Sequence, residues 1–103
     1  MFLLAPIIAN RARSGARLMD ELFPGWAERI DKARLDMANV CDCVRGQVFG
    51  DYYNGPERGR IGNDEVIYGF NAPVITFGST DFYFWRLRLA WLREIKARQG
   101  AIA

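Results

Sequence analysis

Apolar and polar residues recur at helical spacing near the end of the chain. Between about residues 80 and 98, large apolar residues return every three to four positions, with basic residues between them. The apolar stripe comprises Phe84, Leu87, Trp91 and Ile95, widened by Trp85, Leu89 and Leu92. Ser79 or Thr80 is suited to cap the start, and Asp81 falls in the first turn, where the helix dipole favours a negative charge. The pattern predicts a long last helix at about 80–98.

A second apolar stripe occupies the middle of the chain. Asn39 is a favoured helix-capping residue at its start, and the run Asn54-Gly55-Pro56 is typical of a helix end. Between them, the core-facing positions are Val40, Cys43, Val44, Val48 and Tyr52, with Cys41 and Phe49 to one side. Arg45 falls off this stripe. We therefore expect a central helix at about 40–54.

Two glycines interrupt this central segment. Gly46 and Gly50 are four residues apart, so on a helix they share one face and leave a shallow groove where another backbone can approach. Each glycine costs about 1 kcal/mol of helix propensity relative to alanine, which indicates a packing or contact role. The groove is therefore a candidate docking surface.

Two shorter helices complete the predicted elements. The first, at about 14–22, ends before Pro24, because the residue preceding a proline is pushed out of helical geometry. The other, at about 63–68, is capped by Asn63. The run at 74–77 is apolar, but a single strand has no partner, so we expect it to be irregular.

The size and composition indicate one all-α domain, a small irregular helical bundle. The chain has 103 residues, of which 50% are hydrophobic and 25% charged, as in ordinary globular proteins. We assign residues 1–103 to this domain, with 1–9 as an apolar arm that either packs on the core or docks elsewhere, and 99–103 as a frayed tail. Trp26, which follows a Pro-Gly turn, is expected to fill the core.

The composition argues against catalysis and against a membrane protein. The chain has no histidine, which removes the commonest general base and zinc ligand. Cys41 and Cys43 point to different sides of a helix and have no further cysteine to complete a metal site, so we expect two structural thiols, no disulfide between them, no metal and no cofactor. The apolar start is too short to cross a bilayer. A reduced, cytoplasmic, non-enzymatic protein is the simplest expectation.

The start of the last helix carries more aromatic surface than one helical face can bury. Phe82, Tyr83 and Trp85 lie within four consecutive positions, which predicts that some of them contact another element, a second copy of the chain or a partner protein. With Gly46 and Gly50, they are the candidate partner-binding residues.

The same helix offers an alternative function, nucleic-acid binding. Its basic residues are Arg86, Arg88, Arg93, Lys96 and Arg98. They spread around the apolar stripe, no helix-turn-helix pattern precedes them, and the net charge is only +2. Nucleic acid is therefore the second candidate partner, after protein.

Several segments resemble a group of small uncharacterised proteins of actinobacteria and their phages. The matching segments are L-M-D-E-L-F-P-G-W-A-E-R-I-D at 18–31, C-D-C-V-R-G-Q-V-F-G-D-Y at 41–52, Y-G-F-N-A at 68–72, and the ladder of Tyr83, Leu87, Trp91 and Ile95. The resemblance covers about 17–98 and implies a compact domain, often phage-borne, with no catalytic residue to transfer. Val40 departs from it, since the similar proteins often have proline there. We therefore expect a phage-encoded accessory protein that binds a host or phage protein.

Overall fold

The computed structural model describes residues 4–53, 55–73 and 79–100, and these residues form helices and turns. The described ranges contain four α-helices: α1 (Leu4–Leu22), α2 (Val44–Phe49), α3 (Arg58–Ile61) and α4 (Thr80–Gly100). A short 3-10 helix, Trp26–Arg29, follows α1. No strand occurs in the described ranges, so the predicted all-α fold with a long last helix is confirmed.

The first helix begins about ten residues earlier than predicted. Pro6 lies in its first turn, where a missing backbone N–H leaves no hydrogen bond unmade. Half of the residues on the buried side are small, and a search for large apolar residues overlooks these. The buried side comprises Ile8, Ala12, Gly15, Ala16, Leu18 and Met19. Residues 4–9 of the proposed arm are thus the first turns of α1. Residues 1–3 lie outside the described part of the chain.

The last helix contributes a second row of buried residues to the core. Its buried residues are Tyr83, Leu87, Trp91 and Ile95, one every four positions. Phe84, which we placed on this stripe, is only half-buried, and Trp85 and Leu89 are exposed. The predicted cap is present, because the Ser79 hydroxyl accepts a hydrogen bond of 3.0 Å from the Phe82 N–H. Gln99 and Gly100 of the proposed tail still belong to α4, whereas 101–103 lie outside the described residues.

The first and last helices pack against each other in a parallel sense. Arg11 contacts Tyr83, Gly15 faces Trp91, and Asp20 pairs with Arg98, so the contacts advance along both helices in the same direction. A Cβ at Gly15 would overlap the Tyr68 carbonyl and lie 2.7 Å from the Trp91 ring. Gly15 therefore sets how closely the two helices approach.

The central helix is much shorter than predicted. The Asn39 side chain accepts hydrogen bonds from the N–H groups of Cys41 (2.8 Å) and Asp42 (3.1 Å), which stabilises a turn instead of a helix. The helix α2 begins only after Cys43, and it ends at Gly50, whose φ of +96° is a left-handed value that favours glycine. The predicted bounds of 40–54 were therefore wrong at both ends.

The short helix also lies elsewhere. The four-residue α3 precedes the predicted position of 63–68, and that position is occupied by turns. These turns include hydrogen bonds from Tyr68 N–H to the Asp64 carbonyl (3.1 Å) and from Phe70 N–H to the Glu65 carbonyl (2.8 Å). The segment at 74–77, expected to be irregular, falls outside the described residues.

Candidate functional site

The outward face of α4 carries a patch of apolar side chains. Phe82, Trp85 and Leu89 are three and four residues apart, a spacing that places them on one side of a helix. Trp85 is 52% exposed and Leu89 40% exposed, while Phe82 is half-buried. The Phe82 and Trp85 ring centroids lie 6.1 Å apart. We call these three residues the apolar patch.

Tyr83, the third aromatic candidate, lies in the core. It is buried, and its hydroxyl accepts a hydrogen bond of 2.6 Å from Arg11 Nη1. Its phenol therefore joins α1 to α4. The sequence signal for this burial was its four-residue spacing from Leu87, which Trp91 and Ile95 continue.

The two glycines of the predicted groove do not share a face. Gly46 is buried, and a Cβ there would overlap the Val40 carbonyl and lie 2.6 Å from the backbone of Cys41. A backbone does approach it closely, but that backbone is the preceding turn of the same chain. Gly50 ends α2, and apart from its chain neighbours no described residue has an atom within 4 Å of its Cβ position. The described residues thus form no glycine groove, and Gly46 is not exposed to a partner.

Two of the five basic residues of α4 make intramolecular contacts. Arg88 donates hydrogen bonds to the carbonyls of Leu35 (2.7 Å) and Lys32 (3.3 Å). Arg98 pairs with Asp20 at 2.7 Å and with Glu94 at 3.0 Å. The hydrogen bond from Arg98 lowers the pKa of the Asp20 carboxyl. These two arginines tie α4 to the rest of the fold.

Two more of the basic residues of α4 line a small cavity. It lies between α1 and α4, has a volume of about 170 Å³, and is bordered by Arg13, Arg86 and Arg93. We call it the arginine cavity. Among the described residues these three arginines form no ion pair, and the one side-chain hydrogen bond found for them runs from Arg13 to Asn10 Oδ1 (3.3 Å). Lys96 is exposed further along α4.

The two cysteines are free thiols in different surroundings. Cys41 is exposed in the turn before α2, although the central helix predicted at about 40–54 would have included it. Cys43 is buried and caps α2, with its sulfur accepting a hydrogen bond from the Gly46 N–H at 3.3 Å. Burial raises the pKa of the Cys43 thiol. Within the described ranges, no three cysteine or carboxylate side chains are grouped as a metal would need.

A buried ion pair, which the sequence did not indicate, involves Arg45 in the first turn of α2. Arg45 and Glu57 are 1% and 0% exposed, and Arg45 Nε lies 2.7 Å from Glu57 Oε1. The guanidinium also lies 4.2 Å from the centre of the Tyr52 ring. Our placement of Arg45 off the core stripe assumed a longer helix and was wrong. Glu57 comes from a loop, so no helical spacing in the sequence connects the pair.

Three polar atoms of this cluster have no hydrogen-bond partner among the described residues: Arg45 Nη1, Glu57 Oε2 and the Tyr52 hydroxyl. Arg45 Nη1 is 3.6 Å from Glu65. Burial and the negative charge of Glu65 raise the pKa of Tyr52, although Glu65 does not reach hydrogen-bond geometry with it. A second arginine, Arg58, lines the adjoining cavity of about 530 Å³. The carboxylates of Glu57 and Glu65 balance the guanidinium groups of Arg45 and Arg58. The cluster therefore has no net charge, and its contacts join α2 to the loops that follow it.

Comparison of the chain with protein families, with curated proteins and with solved structures finds no match. None of the helices in the described part of the chain is long and apolar enough to cross a membrane.

Proposed function

We propose that this chain is a non-enzymatic protein-interaction module, a cytoplasmic phage-encoded accessory protein that binds a host or phage protein through the apolar patch. The observation that supports this most directly is the exposure of Trp85. The other two tryptophans, Trp26 and Trp91, are buried in the core, whereas more than half of Trp85 is exposed to solvent. The phage assignment rests on the sequence resemblance alone.

The patch has the properties of a protein-binding surface. Tryptophan is among the residues most enriched at the energetic centres of interfaces. Phe82 and Leu89 extend its apolar area along the helix. Because the opposite side of α4 is anchored in the core by Leu87 and Trp91, the patch is held on a rigid element. Few side chains of this protein lose freedom when a partner binds there, so the entropic cost of association is low.

Site-specific photo-crosslinking tests this proposal. A photoreactive phenylalanine analogue replaces Trp85 in one variant and Ile67, another exposed apolar residue, in a matched control. In an actinobacterial lysate we expect a discrete protein adduct from position 85 only. We expect Trp85→Ala to weaken binding of the captured protein by about 2 kcal/mol or more without lowering the melting temperature. Equal adducts from both positions, or none from position 85, would contradict the proposal.

Nucleic-acid binding through α4 remains the second candidate. Arg86, Arg93 and Lys96 form no ion pair among the described residues and so are free to contact phosphates. Arg88 and Arg98 bond to other parts of the fold. Fewer positive charges are therefore available to bind phosphates than the sequence suggested. If this function holds, binding weakens with added salt by a log–log slope of roughly 0.7 to 0.9 per phosphate contact.

A further inference from the structure

The arginine cavity adjoins the apolar patch, and the two surfaces share a residue. Leu89 belongs to the patch and also lines the cavity. Arg86 and Arg93 lie three residues before and four residues after Leu89 along α4, and Arg13 borders the cavity from α1. A partner that covers the patch therefore meets the arginines in the same interface.

The cavity carries a positive charge that the described residues do not balance. Glu94, the one carboxylate among the described residues that line it, is already paired with Arg98 at 3.0 Å. Arg13, Arg86 and Arg93 have no such partner in the described ranges. Like charges around one small cavity repel one another, so an anionic group placed there is favoured electrostatically. Guanidinium groups also bind carboxylates with two parallel hydrogen bonds.

The walls of the cavity indicate which anion fits. Besides the arginines, aliphatic side chains line it, including Ile8, Ala9 and Ala90. The methylene groups of a glutamate would contact these walls while its carboxylate met the arginines. A nucleic-acid backbone makes no use of such walls, and the described lining residues include no aromatic ring for a base to stack on.

We propose that the partner docks with an acidic amphipathic helix, whose apolar side covers Phe82, Trp85 and Leu89 and whose carboxylate enters the arginine cavity. This inference rests on the proposed function, because it assigns the chemistry of the partner that binds the apolar patch. Apolar and acidic residues one helical turn apart on the partner match the one-turn spacing of Leu89 and Arg93.

Selection from a displayed library of random peptides against the immobilised protein tests the inference. The selected peptides are then measured by fluorescence anisotropy against the wild type and against Arg13→Glu, Arg93→Glu and Trp85→Ala. Arg29→Glu is the matched control, because Arg29 is exposed in the 3-10 helix and makes the same charge change away from the cavity. Circular dichroism confirms that each variant keeps the wild-type fold.

We expect selected peptides to combine apolar residues with Glu or Asp at helical spacing. Each cavity variant should weaken binding about tenfold or more, Arg29→Glu should change it by less than about threefold, and added salt should weaken it. Peptides that depend on Trp85 but lack acidic residues and ignore the arginine variants would overturn this inference and leave the proposed function standing. Peptides insensitive to Trp85→Ala would overturn both.

Two further outcomes identify a different occupant and would overturn the inference. The first is tighter binding of single-stranded oligonucleotides than of any selected peptide, lost in Arg13→Glu and Arg93→Glu. The second is a dimer in analytical ultracentrifugation that both of these variants dissociate, which would assign the surface to a second copy of the chain.

Discussion

At the scale of single residues, Trp91 connects several parts of the core. Its ring lies edge-on to Trp26, with centroids 5.8 Å apart, and stacks on Phe70 at 5.3 Å. Its indole N–H donates a hydrogen bond of 2.6 Å to the Gly69 carbonyl. One side chain thus connects α4 to the 3-10 helix and to the turn before residue 71.

We predict that Trp91→Ala lowers the free energy of unfolding by about 3–5 kcal/mol, because it leaves a large cavity and an unpaired carbonyl. Urea denaturation followed by circular dichroism measures the loss. The control is Trp85→Ala on the same helix, which should change stability by no more than about 0.5 kcal/mol because Trp85 is exposed. Equal losses in the two variants would mean that the assignment of inner and outer faces is wrong.

The sequence predicts the burial of some of these side chains but not of others. The core positions of Trp26 and Trp91 were predicted because large aromatic residues follow turn and helix signals that are local in the chain. The burial of Arg45 was not predicted, since it depends on Glu57 and on the ring of Tyr52 meeting it in space. The spacing of apolar residues does not reveal a buried charged side chain whose partner lies elsewhere in the sequence.

At the scale of elements, the packing of α1 on α4 depends on the absence of a side chain at Gly15. We predict that Gly15→Ala destabilises the protein by about 1–3 kcal/mol, because its Cβ would overlap the Tyr68 carbonyl and crowd Trp91. Gly59→Ala is the control, since it adds the same methyl group within α3 where nothing lies within 4 Å. A Gly15→Ala variant at least as stable as the wild type would contradict the close approach of the helices.

The start or end of a helix could be predicted only where residues next to it in the sequence determine it. The start of α4 was found because its cap, Ser79, bonds within its own first turn. The length of the central helix was overestimated for two reasons. Asn39 is as well suited to closing a turn as to capping a helix, and Gly50, which ends α2, was interpreted as part of a groove within the helix. The apolar patch was partly predicted, from the excess of aromatic residues, but the arginine cavity requires α1 and α4 to be side by side, which neither segment reveals alone.

At the scale of the whole molecule, stability should fall in alkaline solution. The folded state raises the pKa of the Cys43 thiol and of the Tyr52 phenol, mainly through burial. The unfolded chain therefore loses these protons first, and above about pH 8.5 for cysteine and about pH 10 for tyrosine the unfolded state is favoured progressively. Each group contributes a slope of up to about 1.4 kcal/mol per pH unit.

Urea midpoints measured from neutral pH to above pH 10 test this prediction under reducing conditions. Cys43→Ala should lower stability at every pH. The stability of this variant should begin to fall only at the higher pH at which tyrosine loses its proton. Cys41→Ala, which changes an exposed thiol, should keep the wild-type profile. An alkaline decline that is identical in all three proteins would show that Cys43 does not contribute to it.

The parallel pairing of α1 with α4 also has a consequence for synthesis on the ribosome. Residues 23–79 separate the two helices, so the small apolar residues of α1 remain uncovered until Leu87, Trp91 and Ile95 have left the exit tunnel. The core of the nascent chain is therefore completed only after α4 has been translated. The contacts between α1 and α4, which join residues 72 and 78 positions apart, should therefore form later than the local turns.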